Sequence, residues 1–269
     1  LTRTYNAQPA LLAVEAATLA ALREQGLIPD AAAGFSLGEW AACHAAGMLN
    51  FDRAFQLVRL RGQWMQQCAD AAPGGMTAVL RMTGDAAATL AAQHHGVHPV
   101  NFNAPEQTVV AGSLEALPAF EEAVKQAGGR CMRLNVAGAF HSPVMQRASD
   151  RVAQALLDEQ LFDPAIPVYG NADGLPYKPG RARERLALQL AQPVQWVRTI
   201  QNMVADGITA FVEAGPGQVL SGLIGKIAPG ALCLQVDSME TLERAREKLE
   251  ALGGVNKTGW PLSQEDPGA

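Results

Sequence analysis

The chain has 269 residues, of which 48% are hydrophobic and 17% are charged, and this composition excludes a disordered protein and predicts a soluble globular one. Its 21 Lys and Arg residues and 26 Asp and Glu residues give a net charge of −5, which disfavours general binding to nucleic acid through phosphates. No apolar run reaches the roughly 18 residues that a membrane span needs, and no charged segment leads into an apolar one at the N-terminus. We therefore expect a cytoplasmic protein that binds neither nucleic acid nor a membrane.

The first predicted elements come from apolar segments that are bounded by Pro and Gly. In chain order they are a helix at 10–25, a strand at 31–35, and helices at 40–46 and 51–69. The segment 10–25 follows Pro9 and stops at Gly26, which is the usual order of start and stop residues for a helix.

The next segment has a different order of elements. We predict strand 76–82, helix 85–93, strands 97–102 and 108–111, helix 118–126 and strand 131–136. This β-α-β-β-α-β order is typical of a ferredoxin-like unit. We therefore predict a ferredoxin-like small subdomain at 74–136, inserted into a larger domain.

After this unit, helices and strands alternate again. The predicted elements are helix 143–161, strand 166–170, helices 183–190 and 196–203, strand 208–213 and helix 220–227. Alternating strands and helices predict an α/β fold with a parallel sheet covered on both faces. We expect residues 1–73 and 137–253 to form this core, and the polar, Gly- and Pro-containing residues 254–269 to form a loose tail.

The four cysteines are far apart and contain no C-x-x-C pair, so the sequence predicts neither a zinc site nor a disulfide framework. We expect reduced thiols, as in most cytoplasmic proteins. The cysteines are Cys43, Cys68, Cys131 and Cys233.

A G-x-S-x-G motif spans residues 34–38, between a predicted strand and a predicted helix. In this setting the small glycines allow a sharp turn that exposes the hydroxyl of Ser36 as a nucleophile. The N–H of Leu37, at the start of the helix, then points at the site where an oxyanion develops. The alternative is an ordinary Gly-containing turn in which the serine caps the helix.

A nucleophilic serine needs a base, and the chain has five histidines from which to supply it. His44 lies in the helix that follows the serine and is carried away from it. His94, His95 and His98 lie at a predicted helix end, where they are solvated or, alternatively, bind a metal. His141 lies where a strand leaves the small domain and a helix begins, which suits a catalytic base; the alternative is a capping or packing role.

Arg61 lies in the middle of the apolar face of the predicted helix 51–69. A guanidinium in that place keeps its proton and must be paired. The sequence leaves two partners open, which are an internal carboxylate and an anionic ligand. A nucleophilic serine, a histidine and an inward arginine together favour acyl transfer with a substrate that carries its own carboxylate.

Several further segments between about residue 7 and about residue 236 carry a resemblance to a known family: Gln8-Pro9-Ala10, Ser36-Leu37-Gly38-Glu39, Arg61-Gly62 with Met65-Gln66, Val100-Asn101-Phe102-Asn103, Ala139-Phe140-His141-Ser142, Asn171, Gln189, Pro193-Val194-Gln195-Trp196, and Glu213-Ala214-Gly215-Pro216-Gly217. On these segments the chain resembles the malonyl-CoA:acyl-carrier-protein transacylases and, more distantly, the acyltransferase domains of polyketide synthases.

The resemblance implies an α/β-hydrolase-like core and a role for each matching catalytic residue. Ser36 would be acylated, with His141 as its base, and the main-chain carbonyl of Gln189 would orient His141. Leu37 would donate one hydrogen bond to the oxyanion. Arg61 would hold the malonyl carboxylate in a bidentate pair.

Three further residues match positions that line the substrate pocket of the family, namely Gln8, Asn103 and Phe140. In the polyketide relatives, a Phe just before the catalytic His accompanies malonyl units, so Phe140 favours malonyl over methylmalonyl. The chain departs from the family at Phe35, where a His usually precedes the nucleophile. Family members also begin with a strand and a Gly-Gln-Gly turn that these residues do not include, so we expect the protein to extend upstream of Leu1.

The implied reaction is transfer of a malonyl group from malonyl-CoA to the phosphopantetheine thiol of acyl carrier protein. We expect an acyltransferase that acts as a monomer, needs no bound cofactor or metal, and supplies fatty acid or polyketide synthesis. Two alternatives stay open, which are a thioesterase or esterase of the α/β-hydrolase type and a non-catalytic subunit that docks carrier protein. Lys125, Arg130 and Arg133 of the small domain either contact an acidic carrier protein or are solvated.

Overall fold

The computed structural model describes residues 4–136 and 138–252, so the predicted loose tail at 254–269 lies outside the described residues. The helices are α1 (Thr4–Glu24), α2 (Gly38–Ala45), α3 (Phe51–Ala71), α4 (Gly84–Ala91), α5 (Leu117–Gln126), α6 (Gln146–Leu157), α7 (Ala182–Leu188), α8 (Trp196–Ala205), α9 (Val219–Ile227) and α10 (Met239–Ala251). The strands are β1 (Ala32–Ala33), β2 (Gly74–Leu80), β3 (Val97–Ala104), β4 (Gln107–Ser113), β5 (Arg130–Arg133), β6 (Val168–Tyr169), β7 (Ala210–Ala214) and β8 (Leu232–Val236).

Two pairs of strands are parallel, and they belong to separate sheets. β1 pairs with β6, and β7 pairs with β8. The α/β class is therefore confirmed, but within the described residues the strands do not form the single parallel sheet that the sequence predicts. Side-chain packing joins the two pairs instead, since Phe35 after β1, Tyr169 of β6 and Phe211 of β7 belong to one apolar cluster.

The segment between α3 and residue 136 forms a four-stranded antiparallel sheet in the order β3-β4-β2-β5. One face is covered by α4 and α5 through a cluster that includes Val79, Ala87 and Phe120. The other face, with Met76 and Val109, packs against Ala139 and Phe140, which lead to His141. The assignment of residues 74–136 to a separate ferredoxin-like subdomain stays a prediction.

The start of α1 differs from the prediction. The helix begins at Thr4 and continues through Pro9, although a proline inside a helix removes one hydrogen bond. Packing on α3 explains how this start is stabilised: a Cβ on Gly62 would lie 2.9 Å from Cα of Tyr5, so the two helices approach closely there. The additional turn carries Gln8 into the interior.

Two other segments also differ from the prediction. The predicted helix 143–161 consists of a short 3-10 helix at Pro143–Met145 followed by α6. β8 and α10 were not predicted, although the capping box of Ser238 and Thr241 marks the start of α10. No helix in the described part of the chain has the length and apolar character needed to span a membrane.

Candidate active site

The turn between β1 and α2 presents Ser36 in an unusual conformation. Its backbone has φ +52°, a value that residues other than glycine rarely adopt. The turn is so tight that a Cβ on Gly34 would lie 1.9 Å from the carbonyl carbon of Gly38. Glycine is therefore required at position 34, and the strained serine projects its hydroxyl away from the strand.

The side-chain amide of Asn171, just after β6, holds this turn. Its Oδ1 accepts a hydrogen bond from the N–H of Ser36 at 2.6 Å, and its Nδ2 donates to the carbonyl of Gly34 at 2.6 Å. The Ser36 N–H is thereby occupied. Among the hydrogen bonds of the described residues, none uses the N–H of Leu37, so this donor is available to an oxyanion beside Ser36.

His141 lies beside the serine hydroxyl. The Oγ of Ser36 and the Nε2 of His141 are 2.7 Å apart, and the Nδ1 of His141 is 2.9 Å from the carbonyl oxygen of Gln189. Because a carbonyl only accepts hydrogen bonds, Nδ1 carries the proton and Nε2 has its lone pair free for the serine O–H. This is the arrangement that a general base requires.

The surroundings keep His141 neutral. Burial is the largest cause and the positive charge of Arg61 is the second, and together they lower the pKa of His141 to about 4. Hydrogen bonds with the backbone of Gln189 and Gln192 act in the opposite direction and are outweighed. At neutral pH the imidazole is therefore unprotonated and able to take a proton.

Arg61 of α3 is buried at 1% exposure and points into the same site. Its Nη1 donates to Oε1 of Gln8, and its Nη2 donates to Oε1 of Gln189 at 2.9 Å and to Oγ of Ser36 at 3.1 Å. All of these partners are neutral, and no carboxylate of the described residues forms a salt bridge with Arg61. Burial lowers the pKa of Arg61 to about 10, which leaves the guanidinium charged at neutral pH.

Sequence reasoning assigned no role to Glu39 or Tyr177, which extend the cluster behind Gln189. Glu39 is 1% exposed, accepts from the hydroxyl of Tyr177, and accepts from Nε2 of Gln189 at 2.6 Å. Burial raises the pKa of Glu39 to about 7, although its hydrogen bonds and Arg61 partly offset this. A charged residue three positions after Ser36, on a helix otherwise rich in buried apolar residues, was the available signal.

The other predicted pocket residues are placed less uniformly. Gln8 is buried and contacts Arg61. Phe140 packs between two apolar clusters just before His141. The Oδ1 of Asn103 has no hydrogen-bond partner among the described residues, and no hydrogen bond in that part of the chain joins Asn103 to Ser36 or Arg61.

Phe35, the residue before Ser36, packs in the apolar cluster that also contains Tyr169 and Phe211. Its ring meets that of Trp196 edge-on, with centroids 5.7 Å apart. Arg133 of β5 pairs with Glu121 of α5, and within α5 Lys125 lies 3.7 Å from Glu122.

A serine in a tight strand-to-helix turn, a neutral histidine that accepts its proton, and a buried arginine without an acidic partner define an acyl-transfer site. Comparison with known proteins gives the family. Residues 1–227 match the family described as "Acyl transferase domain", and the chain belongs to that family.

Individual relatives agree with this assignment. The chain is 37% identical over 257 residues to "Malonyl CoA-acyl carrier protein transacylase" of Bacillus subtilis, covering 93% of this chain and 81% of that protein. It is 36% identical over 233 residues to "Polyketide biosynthesis protein ThaF" of Burkholderia thailandensis, covering 85% of this chain and 20% of that protein.

Solved structures show the same fold. The malonyl CoA-acyl carrier protein transacylase of Clostridium perfringens superposes with a TM-score of 0.89 at 34% identity, covering 93% of this chain and 81% of the other. A malonyl-transacylase in complex with a type II polyketide synthase acyl-carrier protein superposes with a TM-score of 0.87 at 34% identity, covering 91% of this chain and 82% of the other.

Proposed function

We propose that this chain transfers a malonyl group from malonyl-CoA to the phosphopantetheine thiol of an acyl carrier protein, through a malonyl ester on Ser36. The observation that carries the proposal is the guanidinium of Arg61, which lies 3.1 Å from the serine oxygen in a buried site without an acidic partner among the described residues. A substrate whose carboxylate is separated from the reacting carbonyl group by a single methylene fits this arrangement. The names of the relatives support malonyl-CoA as donor and acyl carrier protein as acceptor.

In the first half-reaction His141 Nε2 takes the proton of the Ser36 hydroxyl, and the serine oxygen attacks the thioester carbonyl of malonyl-CoA. The N–H of Leu37 donates a hydrogen bond to the resulting oxyanion. When the carbon–sulfur bond breaks, the imidazolium returns the proton to the sulfur of CoA. The product is malonyl-Ser36 with a neutral histidine.

In the second half-reaction His141 takes the proton of the phosphopantetheine thiol, and the sulfur attacks the ester carbonyl of malonyl-Ser36. The serine oxygen leaves and recovers its proton from the imidazolium. The reaction is therefore ping-pong, and no redox partner, metal or bound cofactor takes part in either step.

Arg61 supplies the selectivity for malonyl. Two parallel N–H donors match the two oxygens of a carboxylate, and a bidentate pair of this kind is worth roughly 1.5 to 3 kcal/mol or more where water is excluded. Gln8 and Gln189 hold the guanidinium in place through neutral oxygens, so no carboxylate of the described residues is paired directly with it before substrate arrives. We also propose that Phe140 and Asn103 line the acyl pocket, and that the protein acts as a cytoplasmic monomer.

The test is mass-spectrometric detection of a malonyl adduct after incubation with malonyl-CoA, followed by discharge with carrier protein. The adduct should form on the wild type and on the control Ser221→Ala, and should be lost in Ser36→Ala. Normal acylation of Ser36→Ala would rule out this serine. Release of free malonate without transfer to carrier protein would favour a hydrolase, and binding of carrier protein without any adduct would favour a docking subunit.

A further inference from the structure

Glu39 is a buried carboxylate that the proposed reaction does not use. It lies in the first turn of α2 and both of its oxygens are hydrogen-bonded. The hydroxyl of Tyr177 donates to Oε1, and Nε2 of Gln189 donates to Oε2 at 2.6 Å. A carboxylate is costly to bury in ionised form. The burial of Glu39 therefore calls for an explanation, and one is suggested by its place in a hydrogen-bonded chain in which only Gln189 separates it from Arg61.

The amide of Gln189 connects the two charged groups. Its Nε2 donates both to Glu39 and to the carbonyl oxygen of Ser36 at 2.7 Å, so its Oε1 must face the other way. There it accepts from Nη2 of Arg61 at 2.9 Å. An ionised carboxylate only accepts hydrogen bonds, so Glu39 helps to fix the amide orientation in which Gln189 holds Arg61.

The charges inside this site balance only while no substrate is bound. Arg61 contributes one positive charge and ionised Glu39 one negative charge. A carboxylate paired with Arg61 adds a second negative charge in a region where water does not screen it, and this disfavours the ionised form of Glu39. Since the pKa of Glu39 is raised by burial to about 7, a proton can be taken up there at neutral pH.

Other titratable groups face Glu39 from neighbouring elements. These are Cys43 on the same helix α2, Arg61 on α3, Tyr177 after β6 and, next to Tyr177, Arg185 on α7. Burial raises the pKa of Cys43 and of Tyr177 well above their usual values, so both stay protonated at neutral pH. Of Glu39 and these four neighbouring groups, Glu39 is the one that can change its protonation near pH 7.

We propose that Glu39 is the internal counter-ion of Arg61, a positioning residue that acts through Gln189 and takes up a proton when Arg61 pairs with the carboxylate of an acyl group. This inference rests on the proposed function, because it needs a carboxylate on Arg61. It predicts that binding of a malonyl thioester is coupled to proton uptake and that binding of an acetyl thioester is not.

The experiment is titration calorimetry of the Ser36→Ala protein, which cannot be acylated, with malonyl-CoA and with acetyl-CoA. Each titration is done near pH 7.5 in two buffers that differ in ionisation enthalpy, which gives the number of protons exchanged. Protons exchanged by the CoA moiety cancel in the difference between the two ligands. We expect malonyl-CoA to take up roughly half a proton more than acetyl-CoA, since Glu39 is mostly ionised before binding and mostly neutral after it.

Two variants identify the group that takes up the proton. In Ser36→Ala with Glu39→Gln, which has the same shape without the charge, the additional uptake should disappear. In Ser36→Ala with Tyr177→Phe, loss of a hydrogen bond to the carboxylate should shift the pH of half-maximal uptake upward. If Glu39→Gln does not fold, the Tyr177→Phe comparison decides, and an unchanged pH of half-maximal uptake overturns the inference.

The two proposals fail in different ways. If malonyl-CoA binds more tightly than acetyl-CoA but its proton uptake is absent, or persists without Glu39, the counter-ion role is wrong and the proposed function stands. If malonyl-CoA binds no more tightly than acetyl-CoA, Arg61 does not bind the carboxylate, and both the malonyl selectivity and the counter-ion role are wrong.

Discussion

Arg61 is buried among neutral acceptors, and this choice of partners has a chemical consequence. A buried arginine is usually stabilised by a carboxylate, which cancels its field. Here the oxygens of Gln8, Gln189 and Ser36 satisfy three N–H groups, whereas Glu39 is one hydrogen-bonded amide away. The guanidinium is therefore not paired directly with a carboxylate of the described residues, and its N–H groups are held in position for an anion that arrives with the substrate.

The planar shape of the guanidinium should matter as much as its charge. In Arg61→Lys the charge remains, but an ammonium group cannot donate along three fixed directions to Gln8, Gln189 and a carboxylate. We expect kcat/KM for malonyl-CoA to fall at least about 30-fold, corresponding to about 2 kcal/mol, with little change for acetyl-CoA. Steady-state kinetics with both thioesters measure this, and equal losses for the two substrates would contradict a carboxylate-specific role.

The protonation of His141 predicts the acid side of the pH profile. A base must be neutral to act, and burial together with Arg61 lowers the pKa of His141 to about 4, so activity should be lost only as the pH falls towards that value. We expect kcat/KM for serine acylation to show no inflection at pH 6.5, the usual pKa of histidine. Rapid-mixing measurements of adduct formation from pH 4 to 8 test this, and Glu39→Gln should retain the same acid limb.

Among the structural elements, the β1–α2 turn places the most severe constraint on the sequence. In Gly34→Ala the new methyl group would overlap the backbone of Gly38, which cannot move without unwinding the start of α2. We expect a loss of more than about 4 kcal/mol in the free energy of unfolding, or no folded protein. The matched control is Gly38→Ala, because a Cβ there meets no atom within 4 Å.

Urea denaturation of the two variants measures these effects, and their comparison is the decisive observation. Gly38→Ala should be within about 1 kcal/mol of the wild type, since alanine suits the first turn of a helix. If both glycine variants unfold alike, the strain lies elsewhere than in the turn at Ser36.

The local parts of this site could be predicted from sequence because local chemistry determines them. The glycines around Ser36 require a turn, and the apolar face of α3 shows that Arg61 points inward. The partners of these residues could not be predicted in the same way. Asn171 lies 135 residues from Ser36, and Tyr177 lies 138 residues from Glu39, so only the folded chain shows that they meet.

The same distinction applies to the helices and strands. The proline rule is local and predicts a start of α1 at residue 10, whereas the close packing on Gly62 that stabilises residues 4–9 of this helix involves a distant element. The parallel pair β1–β6 joins segments far apart in the chain, and nothing in the strand patterns determines that these two strands pair. For α10 a local signal is present, since the capping box of Ser238 and Thr241 marks its start.

The pH dependence of the stability of the whole molecule depends on two buried groups of the site. Their pKa shifts have opposite effects on how the free energy of unfolding changes with pH. Glu39 has its pKa raised from 4.5 to about 7, and His141 has its pKa lowered from 6.5 to about 4. Between pH 4.5 and 7 the folded chain retains a proton on Glu39 that the unfolded chain has released. Between pH 4 and 6.5 the folded chain lacks a proton on His141 that the unfolded chain has bound.

The signs of the two effects on the free energy of unfolding follow from linkage. As the pH rises from 4.5 to 7, the contribution of Glu39 becomes less favourable to the folded state, because folding then requires either proton uptake or a buried charge. As the pH rises from 4 to 6.5, the contribution of His141 becomes more favourable, because the unfolded histidine no longer holds a proton that folding must remove. In the wild type the two contributions largely cancel between pH 4.5 and 6.5.

Removing one of these groups should therefore leave the pH dependence of stability that the other contributes. From pH 5 to pH 6.5, we expect the stability of Glu39→Gln to rise by about 2 kcal/mol relative to the wild type, and that of His141→Gln to fall by about the same amount. Glu15, whose pKa is also raised by burial to about 7, is common to all three proteins and drops out of the comparison. Urea denaturation at pH 5, 5.75 and 6.5 measures the free energy of unfolding of each protein. If this free energy changes with pH in the same way in all three proteins, neither Glu39 nor His141 changes its protonation on unfolding, and the prediction is wrong.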